Sequence, residues 1–192
     1  AEHPLGTNDV GQDLLSELIY GTRVSMFIGI FTALIVTVLA ALLALVAGYY
    51  KGWVDRIVTA LTNVTMGLPS LALTVLLTAY LSPGKLSMII AISLTAWTGT
   101  SRILRSRVVQ LCEMPFVKIE KAIGMNDFVI MVKHILPNLK DIILSRAALS
   151  VSSAIMMESS LSFLGLGSYK EKSWGLILHY AFYQRGVIRG YY

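Results

Sequence analysis

The chain has 192 residues, 55% of them hydrophobic and 14% charged, and its mean hydropathy is +0.68. That balance argues against an ordinary soluble domain and makes lipid its main solvent. A formal net charge of +5 does not make it a nucleic-acid binder, because the basic residues cluster between apolar runs instead of forming a continuous patch with interleaved aromatics.

The chain opens on the polar stretch "AEHPLGTNDVGQD" and lacks a signal peptide with a basic flank. Residues 1–23 read as a polar segment outside the bilayer. The first apolar run, Val24 to Tyr50, carries no charge across more than the roughly 20 residues a membrane helix needs. A second uncharged run, Ile57 to Leu81, contains Gly67 and Pro69, which predict a kink near its middle. The third, Leu86 to Thr100, is short and extends toward Leu104.

About 40 residues then separate Arg102 from Asp141, long for a connection inside a compact protein. Apolar residues such as Phe116, Ile119, Ile123, Phe128 and Ile135 recur there at helical spacing and disfavour disorder. Gly124 is expected to end one short helix, "MND" to supply a turn and cap, and a second helix to run from near Asp127 to Pro137, where the proline stops it. Such an amphipathic unit either packs on the protein's own helices or seats in a partner's groove. Cys112 is the single cysteine, so no internal disulfide can form, and it reads as a small loop residue.

A fourth run, Ile142 to about Gly167, holds Arg146 and Glu158, which sit about 18 Å apart along a helix axis. Glu158 is costly at membrane depth, which predicts a bundle interior, a cavity or an aqueous helix end for it, with helix packing and a place in a solute pathway both open. Arg146 is expected to snorkel, and Arg102 and Arg105 to meet lipid phosphates. The tail 168–192 carries Lys170, Lys172, Arg185 and Arg189 and holds no complete span. Lys51 and Arg56 after the first run, and the Arg and Lys residues from Arg102 to Lys140, place those two loops in the cytoplasm and both ends of this chain outside.

Several stretches resemble a known family. "EKAIGMND" followed by "KHILPN" is similar to the EAA loop of permease subunits from binding-protein-dependent ABC importers: Gly124, Leu136 and Pro137 fall on the pattern. His134 stands where that pattern has an aliphatic residue, and Lys118, Ile119 and Glu120 replace Glu-Ala-Ala. "HPLGTNDVGQDLLSELIYGTRVS", "AGYYKGWVD", "LPSL", "ESSLSFLGLG" and "SWG" resemble the dipeptide, oligopeptide and nickel branch, and together cover nearly the whole chain.

The resemblance implies an all-α polytopic membrane protein with the type I ABC importer transmembrane fold. It would have about four spans here (24–50, 57–81, 86–104, 142–164) and a cytoplasmic coupling loop at 105–141. A further span before Ala1 and another after Tyr192 would complete the usual six. It implies a multi-pass protein of the prokaryotic cytoplasmic membrane, working with two ATPase subunits, a second related permease and an extracytoplasmic binding protein. No phosphate-binding G-x-x-x-x-G-K-[ST] loop occurs, so ATP and Mg would be bound by the partner subunits, and neither a catalytic residue nor a cofactor is assigned to this chain.

Within the loop, Phe116, Glu120, Ala122, Ile123, Gly124, Met125, Asp127, Leu136 and Pro137 would form the ATPase-coupling site. Phe116, Ile123, Met125 and Phe128 would be apolar anchors, Gly124 a turn that a side chain would obstruct, and Asp127 either a cap or a contact. Gly29, Ala33, Ala40, Ala41, Ala44, Ala47 and Gly48 permit close helix packing, within the chain or against another subunit. His3, His134 and His179 are too scattered for a metal site. A self-contained secondary transporter or channel using Glu158 and Arg146 is the competing reading, and it lacks the internal repeat such folds carry. The cargo, whether peptide, nickel or another solute, is not encoded in these motifs.

Overall fold

The computed structural model describes residues 3–8, 10–82, 84–168 and 171–183. In chain order these form α1 (Leu14–Tyr50), α2 (Gly52–Gly67), α3 (Ser70–Tyr80), α4 (Lys85–Cys112), α5 (Pro115–Ala122), α6 (Asp127–Val129), a π-helical segment (Ile130–Ile135), a 3-10 turn (Leu136–Leu139), α7 (Lys140–Phe163) and α8 (Trp174–Tyr183). Lys170, Arg185 and Arg189, expected in the basic tail, lie outside the described residues.

Local chemistry accounts for the helix ends. α1 begins at Leu14, well before the first uncharged residue of the apolar run, because the Asp13 carboxylate accepts from the Ser16 amide at 2.9 Å and the Ser16 hydroxyl at 2.6 Å. It closes at Tyr50 because Lys51 and Gly52 take φ of 56° and 60°. The expected kink near Pro69 is a full break between α2 and α3: Leu68 is extended (φ −95°, ψ 143°), the conformation that a following proline favours. α4 continues past Leu104 to Cys112, so that cysteine is the buried last residue of a helix and not a loop residue.

By length and apolarity, Leu14–Tyr50 and Asp127–Phe163 can each cross a membrane, and α2 with α3 makes a third candidate if the bent pair is one span. α4, expected as a span over 86–104, interleaves Ser and Thr with its apolar residues and carries Arg102, Arg105 and Arg107 in its C-terminal half.

The chain forms two compact units. One comprises Ala1–Thr32, Leu73–Ile92 and Val151–Tyr192. Its core joins Val24 and Ile28 of α1, Met88, Ile89 and Ile92 of α4, and Leu161 of α7. The segment before α8 is tied down by polar contacts. Lys172 donates to Gln12 and Glu17, and the Trp174 indole N–H donates to the Leu18 carbonyl at 3.1 Å.

The other unit comprises Ala33–Ala72 and Ser93–Ser150. Leu45 and Tyr49 of α1, Val108, Leu111 and Cys112 of α4, Val117 of α5, and Ile130, Met131, Ile135 and Leu139 form its larger core. Val117, Ile130 and Ile135 lie beyond the apolar runs, so their burial removes apolar surface from water at about 1.5–3 kcal/mol per side chain. Ala40, Ala44 and Ala47 are fully buried, which uses the small-residue stripe inside the chain. At Gly48 α1 and α4 are in close contact: a Cβ there would lie 2.8 Å from Val108 Cβ and 3.2 Å from the Arg105 carbonyl. Gly48→Ala is therefore expected to cost about 1–3 kcal/mol, read as a lower thermal midpoint of the full-length protein in detergent. An unchanged midpoint would contradict this packing.

Candidate functional site

Residues 115–140 fold as a helix, a break and a second helix, and the sequence "KAIGMND" builds the break. Gly124 has φ +78°, its amide donates to the Lys121 carbonyl at 3.1 Å, and the Met125 amide donates to the Glu120 carbonyl at 3.0 Å. This pair of bonds satisfies the last carbonyls of α5 in the way a glycine-terminated helix commonly does. Asn126 then caps the next helix, its side-chain oxygen accepting from the Phe128 amide at 2.8 Å. Asp127 is thus not the cap. A Cβ at Gly124 would meet nothing within 4 Å, so the glycine is required by its backbone angle and not by lack of space, contrary to the expectation of an obstructed turn.

Pro137 does not stop the helix. The backbone relaxes from α to π pairing ahead of it, with the Leu136 amide bonded to the Met131 carbonyl. It then tightens to 3-10 pairing, with the Lys140 amide bonded to the Pro137 carbonyl. Proline lacks an amide and crowds the preceding turn, and this change of pairing absorbs both defects. Asp127 to Phe163 consequently runs as one 37-residue helix.

Side chains from three directions hold the break. The Tyr49 hydroxyl at the end of α1 donates to Asp127 Oδ1 at 2.5 Å, and the Lys121 ammonium lies 3.9 Å from the centre of the same ring. Tyr49 therefore touches both sides of the break. His134 Nδ1 lies 2.8 Å from Glu120 Oε1, a second contact across it. At the start of α5, Glu113 sits between Lys51 (2.8 Å) and Lys118 (3.0 Å), whose ammonium groups hold its carboxyl down at about 2.

Outside the break, Arg105 makes a two-pronged ion pair with Asp55, and Arg102 donates to Asn63 at 2.8 Å. Both arginines are thus engaged by their own chain. Arg146 turns to the Thr100 hydroxyl at 3.4 Å.

Of the expected anchors, Ile123 (72% exposed) and Phe128 (68%) flank the break and face solvent, and Phe116 is also exposed. Met125 instead packs against the core. Ala122 and Pro137 are exposed and Leu136 is half-buried. Sequence reasoning missed Tyr49, whose place at the end of an apolar run gave no hint of a partner so distant in sequence. It also missed the pairing of Glu120 with His134, although both had stood out as departures from the loop pattern.

Glu158 lies in the other unit and is fully buried. It accepts from the Ser25 hydroxyl at 3.1 Å and from the Ser162 hydroxyl at 2.7 Å. Ser25 Oγ in turn accepts from the Trp174 amide at 3.2 Å. Its setting is therefore the helix-packing interior. Among the described residues no group of three His, Cys, Asp or Glu side chains is placed to hold a metal ion.

An all-helical membrane chain with a helix-break-helix element is the class that these features define, and the fold is that of a type I ABC importer transmembrane subunit. The structure is similar to a chain of the MetNI methionine ABC transporter in an inward-facing conformation, with a TM-score of 0.73 over 88% of this chain and 82% of that one at 17% identity. Residues 40–173 match the family described as binding-protein-dependent transport system inner membrane component, and the chain belongs to that family.

Among its relatives, it is 38% identical over 178 residues to the dipeptide transport system permease protein DppC of Bacillus subtilis (strain 168). It is 31% identical over 180 residues to the glutathione transport system permease protein GsiD of Pectobacterium atrosepticum. These alignments cover 92% and 93% of this chain but 56% and 60% of the relatives, so the chain spans under two thirds of their length.

Two substitutions test how the break is held. Tyr49→Phe removes the bond to Asp127 and leaves the ring beneath Lys121, and should cost about 1 kcal/mol. Hydrogen exchange at the Met125 and Phe128 amides should then quicken about fivefold; unchanged exchange would remove Tyr49 from the account. Gly124→Val should lower the thermal midpoint in detergent, at a cost of about 1–2 kcal/mol, while Gly124→Asn should cost less because Asn tolerates the left-handed region. Equal losses for the two would point to space and not backbone angle.

Proposed function

We propose that the chain is a permease subunit of a binding-protein-dependent ABC importer that carries small peptides or peptide-like solutes across the cytoplasmic membrane. The observation that carries this reading is the family match combined with a capped break that exposes Ile123 and Phe128 on either side of Gly124. Exposed apolar side chains on an otherwise well-capped turn are what a partner's cleft would bury. The cargo class is inferred from relatives whose names specify dipeptide and glutathione transport.

In this reading residues 105–141 are the cytoplasmic coupling loop. Phe116, Glu120, Ala122, Ile123, Gly124, Met125, Asp127, Leu136 and Pro137 contribute in different ways. Ile123, Phe128 and Phe116 meet the ATPase, and Gly124 with Asn126 shapes the turn. Met125, Leu136 and the core beneath them resist its deformation. Two ATPase subunits bind and hydrolyse ATP with Mg, a second related permease completes the pathway, and a binding protein delivers solute from outside. Glu158, with both carboxylate oxygens engaged by hydroxyls, serves helix packing in this reading and not the solute path.

Co-purification tests it. Full-length native protein should retain its ATPase subunits in detergent, and the double variant Ile123→Glu/Phe128→Glu should retain less than about a tenth as much while still inserting and remaining monodisperse. Equal retention by both would show that the ATPase docks elsewhere.

A further inference from the structure

Glu120 and His134 are two of the positions at which the loop departs from the EAA pattern, and the fold brings them together. Glu120 is on the last turn of α5 and His134 in the π-helical segment, so their 2.8 Å contact bridges the break. The Glu120 side chain is 14% exposed and its Oε2 has no hydrogen-bond partner. Of the lysines on α5, Lys121 lies over Tyr49 and Lys118 on Glu113. A largely buried carboxylate with one oxygen unpaired depends on the imidazole for its compensation.

We infer that Glu120 and His134 are a positioning pair. Their contact fixes the angle between α5 and the helix that starts at Asp127, and so sets the spacing of Ile123 and Phe128. The inference rests on the reading of this element as the ATPase contact. Neither residue needs to touch the ATPase: the pair acts through the two exposed apolar side chains. The asymmetry of burial makes a specific demand. Removing His134 strands a carboxylate away from water, whereas removing Glu120 leaves an imidazole that is 33% exposed and can be hydrated.

The test is a double-substitution cycle in the full-length protein, read as the amount of ATPase subunit retained by the monodisperse, correctly inserted fraction. His134→Ile should reduce retention about tenfold and Glu120→Ala by less, while Glu120→Ala/His134→Ile together should lose no more than His134→Ile alone, as strongly coupled sites do. His134→Asn, which keeps a donor near the place of Nδ1, should retain most of the native level, an outcome that a simple loss of packing would not give. If the double variant loses as much as the two single losses multiplied, or if all variants match native, the pair has no positioning role. A native complex that retains no ATPase overturns the docking reading itself, and the pair's role falls with it.

Discussion

Tyr49 has its ring buried among α1, α4 and the segments that follow α5, its hydroxyl on Asp127, and its face under Lys121. The loop of 105–141 lacks a sheet or a disulfide, and its break is held at the backbone by a few terminal hydrogen bonds. Such turns open readily when they have few buried contacts. One aromatic side chain supplies buried area, a charge-assisted hydrogen bond and a cation-π contact, and those act on residues either side of Gly124. That is why a segment rich in charge can present Ile123 and Phe128 in a defined arrangement without burying them.

The second constraint is continuity. A proline in the middle of a helical track normally ends it, and a loop that ends before the next span could move without pulling on it. Here the widened π pairing of Ile130–Ile135 and the tight turn at Leu136–Leu139 accommodate Pro137, while Ile130, Met131, Ile135 and Leu139 remain in the core. The same track that anchors the loop therefore becomes α7.

In the other unit the buried polar group is treated differently. Among the described residues Glu158 has hydroxyl donors and no ion-pair partner, and Ser25 passes the network to the backbone ahead of α8. Hydroxyl donors satisfy a carboxyl without importing a second charge to be desolvated, which suits a helix interior. Lys172, bonded to Gln12 and Glu17, ties the same connecting segment to the start of α1. The polar N-terminal stretch is thereby part of a folded unit, which its composition alone did not indicate.

Much of this was legible in one dimension. The long apolar run determined α1, since an uncharged stretch of that length has no alternative solvent; Gly124 and the MND tripeptide determined the break, since positive φ and helix capping are local demands of particular residue types; and the loop motif determined the family expectation. Tertiary structure alone decided the rest. It placed Tyr49 on Asp127, set Glu120 against His134, gave Arg105 to Asp55, and carried the helix through Pro137. These contacts join residues far apart in the chain, or depend on which face of a helix the core claims. Local propensity is blind to both, because the energy of an ion pair or a buried ring is set by whatever the fold brings within a few ångströms of it.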